Sequence, residues 1–193
     1  MQKVARGLHR ISGGRIHPDA ITIFGFLMHI PIAILIALRH YNILAAILLV
    51  IFGLFDTLDG ETARLQGRAS PRGMLLDAST DRMKEVLLYI GVAYALTLSN
   101  HPTTAVWAVA ACGASLCVSY VKAKGEAAVA SMKTIEHAKL NHLFKDGLLT
   151  FEIRMTILIV GLLCNQLVIA VAVIAVLATY TALQRLIRIS RSL

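Results

Sequence analysis

A chain of 193 residues that is 57% hydrophobic and 16% charged, with a mean hydropathy of +0.71, is too apolar for a water-soluble domain of this size. Its net charge of +8 comes without the aromatic-interleaved basic domain that nucleic acid demands. Cys112, Cys117 and Cys164 lie in apolar stretches without the paired spacing of a zinc site or a disulfide framework. The composition predicts a single all-α integral membrane domain over residues 1–193, its helices satisfying their own backbone hydrogen bonds in lipid.

The N-terminal residues hold no apolar core followed by a cleavage site, so no removed signal peptide is expected. Val4, Leu8 and Ile11 share one helical face, with Lys3, Arg6 and Arg10 on the remainder. That pattern predicts an interfacial amphipathic helix within 1–17, with a solvated basic tail as the alternative. Six segments then read as transmembrane helices, over 20–38, 43–63, 75–98, 104–124, 148–164 and 167–187. The fifth is short and needs its flanking residues to span. The long polar connection from Ala123 to Asp146 holds Glu136, His137 and His142, which read as surface groups because no second ligand pair has metal-site spacing.

With six spans, the N-terminal segment, the 64–74 loop, the 122–147 loop and the C-terminus share one side. That side and its adjoining helix ends carry every Lys and Arg except Arg39. The positive-inside rule then predicts a multi-pass protein of the cell membrane with both termini cytoplasmic. Positive charge at that interface attracts anionic membrane lipids and phosphorylated solutes.

Chemistry concentrates in FDTLDGETARLQGRASPRGMLLDASTDR, residues 55–82. Helical spacing aligns Asp56, Asp59, Gly60 and Ala63, with Arg64 one turn beyond Gly60. Gly73, Asp77 and Asp81 follow at steps of four in the next helix. The short turn between them, with Gly67, Ser70 and Pro71, makes the two helices antiparallel neighbours, so the four aspartates can converge. Uncompensated, these carboxylates repel one another near lipid; one or two divalent cations reverse that balance. All-oxygen ligands suit magnesium or manganese, and magnesium borrows phosphate oxygens readily. Gly60, Ala63 and Gly73 leave room for a nucleotide, and Arg64 and Ser70 are positioned for its phosphates or base. Two other readings compete: aspartates that cap helices or pair with Arg64, Arg68, Arg72 and Arg82, and a cation or proton transporter, since intramembrane carboxylates also mark ion paths.

On these residues the chain resembles the CDP-alcohol phosphatidyltransferase family. The family pattern D-x2-D-G-x2-A-R-x8-G-x3-D-x3-D is filled at every fixed position by Asp56, Asp59, Gly60, Ala63, Arg64, Gly73, Asp77 and Asp81. The resemblance implies a homodimeric six-span enzyme with its active site facing the cytoplasm. Asp56, Asp59 and Asp77 would hold a pair of Mg²⁺ or Mn²⁺ ions, with Asp81 assisting and acting as general base. It implies a CDP-diacylglycerol-type substrate, attack by an alcohol on the lipid-side phosphorus, and loss of CMP. The segment HPDAIT, residues 17–22, is similar to the family's lead-in to the first span and adds Asp19 and Thr22 as nucleotide contacts; Asp56, besides holding metal, would also contact the CDP-lipid.

Within the family, SYVKAKGEA at 119–127 resembles the phosphatidylinositol-phosphate synthases and their archaeal counterparts. By that resemblance Lys122, Arg154 and Arg185 would bind the phosphate of a small phosphorylated polyol, inositol phosphate. Cations at cytoplasmic helix ends obey the orientation rule whatever the substrate. Glycerol phosphate, serine or another alcohol is therefore the alternative acceptor.

Overall fold

The computed structural model describes residues 6, 7, 10, 15–130 and 149–191. The interfacial helix expected within 1–17 therefore lies largely outside the described residues, and Glu136, His137 and His142 lie wholly outside them. Among the described residues every element is helical: α1 (Pro18–Ala37), α2 (Asn42–Gly53), α3 (Phe55–Leu65), α4 (Pro71–Thr97), a 3₁₀ turn (Pro102–Thr104), α5 (Ala105–Ala130), α6 (Phe151–Leu163) and α7 (Leu167–Ser190).

Among the described residues four stretches are long and apolar enough to cross a membrane: Pro18–Ala37, Asn42–Leu65, Pro102–Ala128 and Leu167–Ser190. The other two expected spans fall short for different reasons. The N-terminal part of α4 carries Arg72, Asp77, Asp81, Arg82, Lys84 and Glu85, and α6 has 13 residues, a length of roughly 20 Å against a hydrocarbon core of about 30 Å. The second expected span is also divided. Leu54 N–H bonds Ile51 O at 3.2 Å, an i→i−3 bond that tightens the chain after Gly53 before α3 begins. Phe24, Phe52 and Phe55 pack around this junction with ring centroids 5.2 to 6.1 Å apart.

The chain forms two compact units, Met1–Ala95 and Leu96–Leu193. In the first, α1 packs on both α2 and α3, burying Ile21, Ile32, Ile36, Ala45, Ala46, Leu49 and Leu58. α4 meets α1 where Gly91 faces the backbone of Ala33 so closely that a Cβ there would collide with the Ala33 carbonyl. In the second unit α7 packs against α5 and α6. Small residues allow the approach: Ala108, Ala111, Ala170, Ala175 and Ala178 are buried, and Gly161 abuts Ala170.

Outward faces are apolar too. Ile23, Phe24, Leu27, Ile30 and Ile34 on α1, and Ile169, Val176, Tyr180 and Leu183 on α7, are exposed. Helices apolar on both their packed and their open faces belong in lipid.

Candidate active site

Local sequence signals fix the entrance of the first unit. His17 caps α1, its Nδ1 accepting from Asp19 N–H at 3.3 Å, with Pro18 as the first helical residue. α3 ends where Gly67 adopts φ +64, a left-handed conformation that glycine takes without strain; Arg68 N–H reaches back to Ala63 O at 2.9 Å. Gln66 Nε2 donates to Ile16 O at 2.9 Å, tying this turn to the start of α1. Ser70 then caps α4, its Oγ accepting from Gly73 N–H at 3.1 Å.

These caps surround a cavity of about 360 Å³ lined by residues of α1, α3, the α3–α4 turn and α4. Seven of the eight residues expected to contact the CDP-lipid line it: Asp19, Thr22, Gly60, Ala63, Arg64, Ser70 and Gly73. Asp59 and Asp77 line it as well, while Asp56 does not. Thr22 Oγ1 donates to Asp59 Oδ2 at 2.5 Å, and Asp59 is 5% exposed. A Cβ on Gly73 would stand 3.5 Å from Ser70 Oγ and 3.8 Å from Asp19 Oδ1, so the absent side chain keeps the space between α1 and α4 open. Arg64 lies on the cavity rim with 68% of its side chain exposed and its guanidinium 3.2 Å from Glu61.

The other two aspartates serve a different partner. Lys84 Nζ donates to Asp56 Oδ1 and, at 3.2 Å, to Asp81 Oδ1, with its side chain 0% exposed. Sequence reasoning missed Lys84. Arg82 sits 3.9 Å from Asp81 and 3.3 Å from the buried carboxylate of Glu85. Pairing of acids with cations thus holds for Asp56 and Asp81, mostly through Lys84, and not for Asp59 and Asp77.

Among the described residues no three His, Cys, Asp or Glu side chains already form a metal-binding group; Lys84 draws Asp56 and Asp81 to itself. The donor set nevertheless fits a hard divalent cation. Asp77 Oδ1 is buried without any hydrogen-bond partner, an arrangement that costs free energy unless a cation or donor satisfies it. Every carboxylate here is an oxygen ligand of the kind magnesium and manganese take.

The second unit holds the three expected acceptor residues. Arg154 is 1% exposed and donates to Leu149 O at 3.0 Å. Arg185 is 7% exposed; it donates to Val118 O at 3.4 Å, and its Nε is buried with no partner. Arg154 and Arg185 thus put two positive charges in the interior of this unit. Lys122 is half exposed and 3.8 Å from Glu126. Two buried like charges with an unpaired N–H form a site that an anion would stabilise.

With this geometry established, the family follows. Residues 15–183 match the sequence model of the CDP-alcohol phosphatidyltransferases, and the chain belongs to that family of membrane enzymes. Family membership sets aside the transporter reading. The chain is 30% identical over 186 residues to the phosphatidylinositol phosphate synthase of Corynebacterium glutamicum, covering 92% of this chain and 80% of that protein. It is 29% identical to the archaetidylinositol phosphate synthase of Pyrococcus horikoshii, covering 88% and 81% respectively. The crystal structure of Mycobacterium tuberculosis phosphatidylinositol phosphate synthase with CDP-DAG bound shares the fold, with a TM-score of 0.81 at 24% identity over 97% of this chain and 92% of that one. The same enzyme in complex with manganese and citrate gives a TM-score of 0.77 over 98% and 88%.

Proposed function

We propose that this enzyme transfers a phosphatidyl group from CDP-diacylglycerol, or a closely related CDP-lipid, to a hydroxyl of inositol phosphate, releasing CMP. The observation that carries the reading is the cavity in which seven expected nucleotide contacts meet Asp59 and Asp77, the latter with a buried oxygen that lacks a partner. The names of the bacterial and archaeal relatives support the same acceptor chemistry, and the manganese complex of the mycobacterial enzyme supports a divalent metal.

In this reading Asp19, Thr22, Arg64 and Ser70 bind the nucleotide and its phosphates, and Gly60, Ala63 and Gly73 leave it room. Asp56, Asp59 and Asp77, with Asp81 beside them, would hold a pair of Mg²⁺ or Mn²⁺ ions, which supply charge neutralisation for the pyrophosphate and for departing CMP. Asp81 accepts the acceptor hydroxyl's proton as that oxygen bonds the lipid-side phosphorus and the bond to CMP breaks. Lys122, Arg154 and Arg185 hold the acceptor's phosphate. The topology that goes with this chemistry has six spans, cytoplasmic termini and active site, an N-terminal interfacial helix and a homodimer.

Purified protein supplied with CDP-diacylglycerol, Mn²⁺ and a panel of acceptors tests the assignment through CMP release and lipid product analysis. Product formed with inositol phosphate alone is expected. Product with glycerol phosphate or serine instead overturns the acceptor, and no CMP release with any acceptor overturns the transfer.

A further inference from the structure

Lys84 is fully buried within a helix that carries the catalytic aspartates, and it donates to Asp56 on α3 and Asp81 on α4 at once. A lysine at such depth is tolerated only when its charge is matched. Here it matches the two carboxylates that stand apart from the cavity, while Asp59 and Asp77 line it. Lys84 and Arg82, the latter 3.9 Å from Asp81 and shared with Glu85, set two cations against five carboxylates, so net negative charge remains. Lys84 also stands where a cation would have to stand to use Asp56 and Asp81 as ligands. A divalent ion needs Asp oxygens at about 2.0–2.1 Å for magnesium, and an ammonium held on the same oxygen would place like charges within a few ångströms of each other.

We infer that Lys84 is an internal counter-cation that exchanges with the divalent ion. It holds α3 against α4 in the metal-free protein, and its long flexible stem lets it withdraw when metal takes Asp56 and Asp81. Lys84 is thus a positioning residue that sets the divalent-ion concentration at which the site assembles. The inference rests on the metal-site reading proposed above.

The test uses the full chain in detergent or nanodiscs, comparing wild type with Lys84→Met. Mn²⁺ binding is read from the free-ion EPR signal, and thermal unfolding is followed with and without Mn²⁺. Removal of the competing ammonium is expected to tighten Mn²⁺ binding at least tenfold, to lower Tm in the absence of metal, and to enlarge the rise in Tm that Mn²⁺ produces. Unchanged or weaker Mn²⁺ binding in a folded variant, beside a wild type that binds, overturns the role of Lys84 and leaves the metal site standing. A wild type that binds no Mn²⁺ overturns both. Should Lys84→Met not fold, Lys84→Gln is tested alongside it; recovery of either fold by Mn²⁺ supports the exchange, and failure of both to fold even with Mn²⁺ overturns it.

Discussion

Thr22 on α1 donates its hydroxyl hydrogen to Asp59 Oδ2 on α3 at 2.5 Å, a bond between residues 37 positions apart in the chain. It fixes one oxygen of a buried carboxylate on the cavity wall. Thr22→Val keeps the volume nearly constant and removes the donor, leaving a buried charged acceptor short of a partner. Such a loss costs about 1–3 kcal/mol. The expected result is a lowered Tm together with a rise of about tenfold in KM for the CDP-lipid, measured by thermal unfolding and by CMP release against lipid concentration; an unchanged KM would sink this role.

Asp77 has a buried oxygen without a partner, which makes its substitution the cleanest probe of the cation site. Asp77→Asn is isosteric and removes a partly buried charge, so the protein should fold. Removal of a charged ligand should cost several kcal/mol of transition-state stabilisation, a fall of a hundredfold or more in turnover. Turnover within threefold of wild type at saturating Mn²⁺ would exclude Asp77 from the cation site.

Much of this site is legible in the sequence because the helical step alone dictates it. Asp59, Gly60 and Ala63, and Gly73 and Asp77, fall on common faces whatever surrounds them, and Ser70-Pro71 announces the start of α4 through its cap. Lys84 escaped because basic residues near helix ends are read as orientation signals. Its own signal was one of register, for it lies three residues after Asp81 and seven after Asp77, on the same face. The interruption at Leu54 and the brevity of α6 depend on tertiary packing and loop geometry, which hydropathy windows average away. The acceptor arginines were legible as charges, but their burial against Leu149 O and Val118 O was not.

Packing between α1 and α4 hinges on Gly91. A methyl group there meets the Ala33 carbonyl, which is main chain and cannot rotate aside. Gly91→Ala should therefore push α4 from α1 and cost about 1–3 kcal/mol in overpacking, although alanine is the better helix former. Thermal unfolding in detergent should show a lowered Tm. A stabilised variant would mean that the two helices do not approach this closely.

The buried arginines of the second unit make a separate prediction about acceptor use. Arg154 and Arg185 are both buried, and Arg185 keeps an unsatisfied buried Nε, so an anion bound there would match buried positive charge and supply the missing acceptor. Arg185→Gln removes a buried charge and its unpaired N–H, leaving stability nearly unchanged or slightly raised. Affinity for a phosphorylated acceptor should fall instead, since a charge-assisted hydrogen bond is worth about 1.5–3 kcal/mol, or roughly ten- to a hundredfold in acceptor KM. KM for the CDP-lipid should stay near wild type, because the cavity lined by Asp59 and Asp77 contains no residue of this unit. Steady-state kinetics with each substrate varied in turn separate the two. An equal loss for both substrates, or a fall in Tm without any change in acceptor KM, would assign Arg185 to packing instead of phosphate recognition.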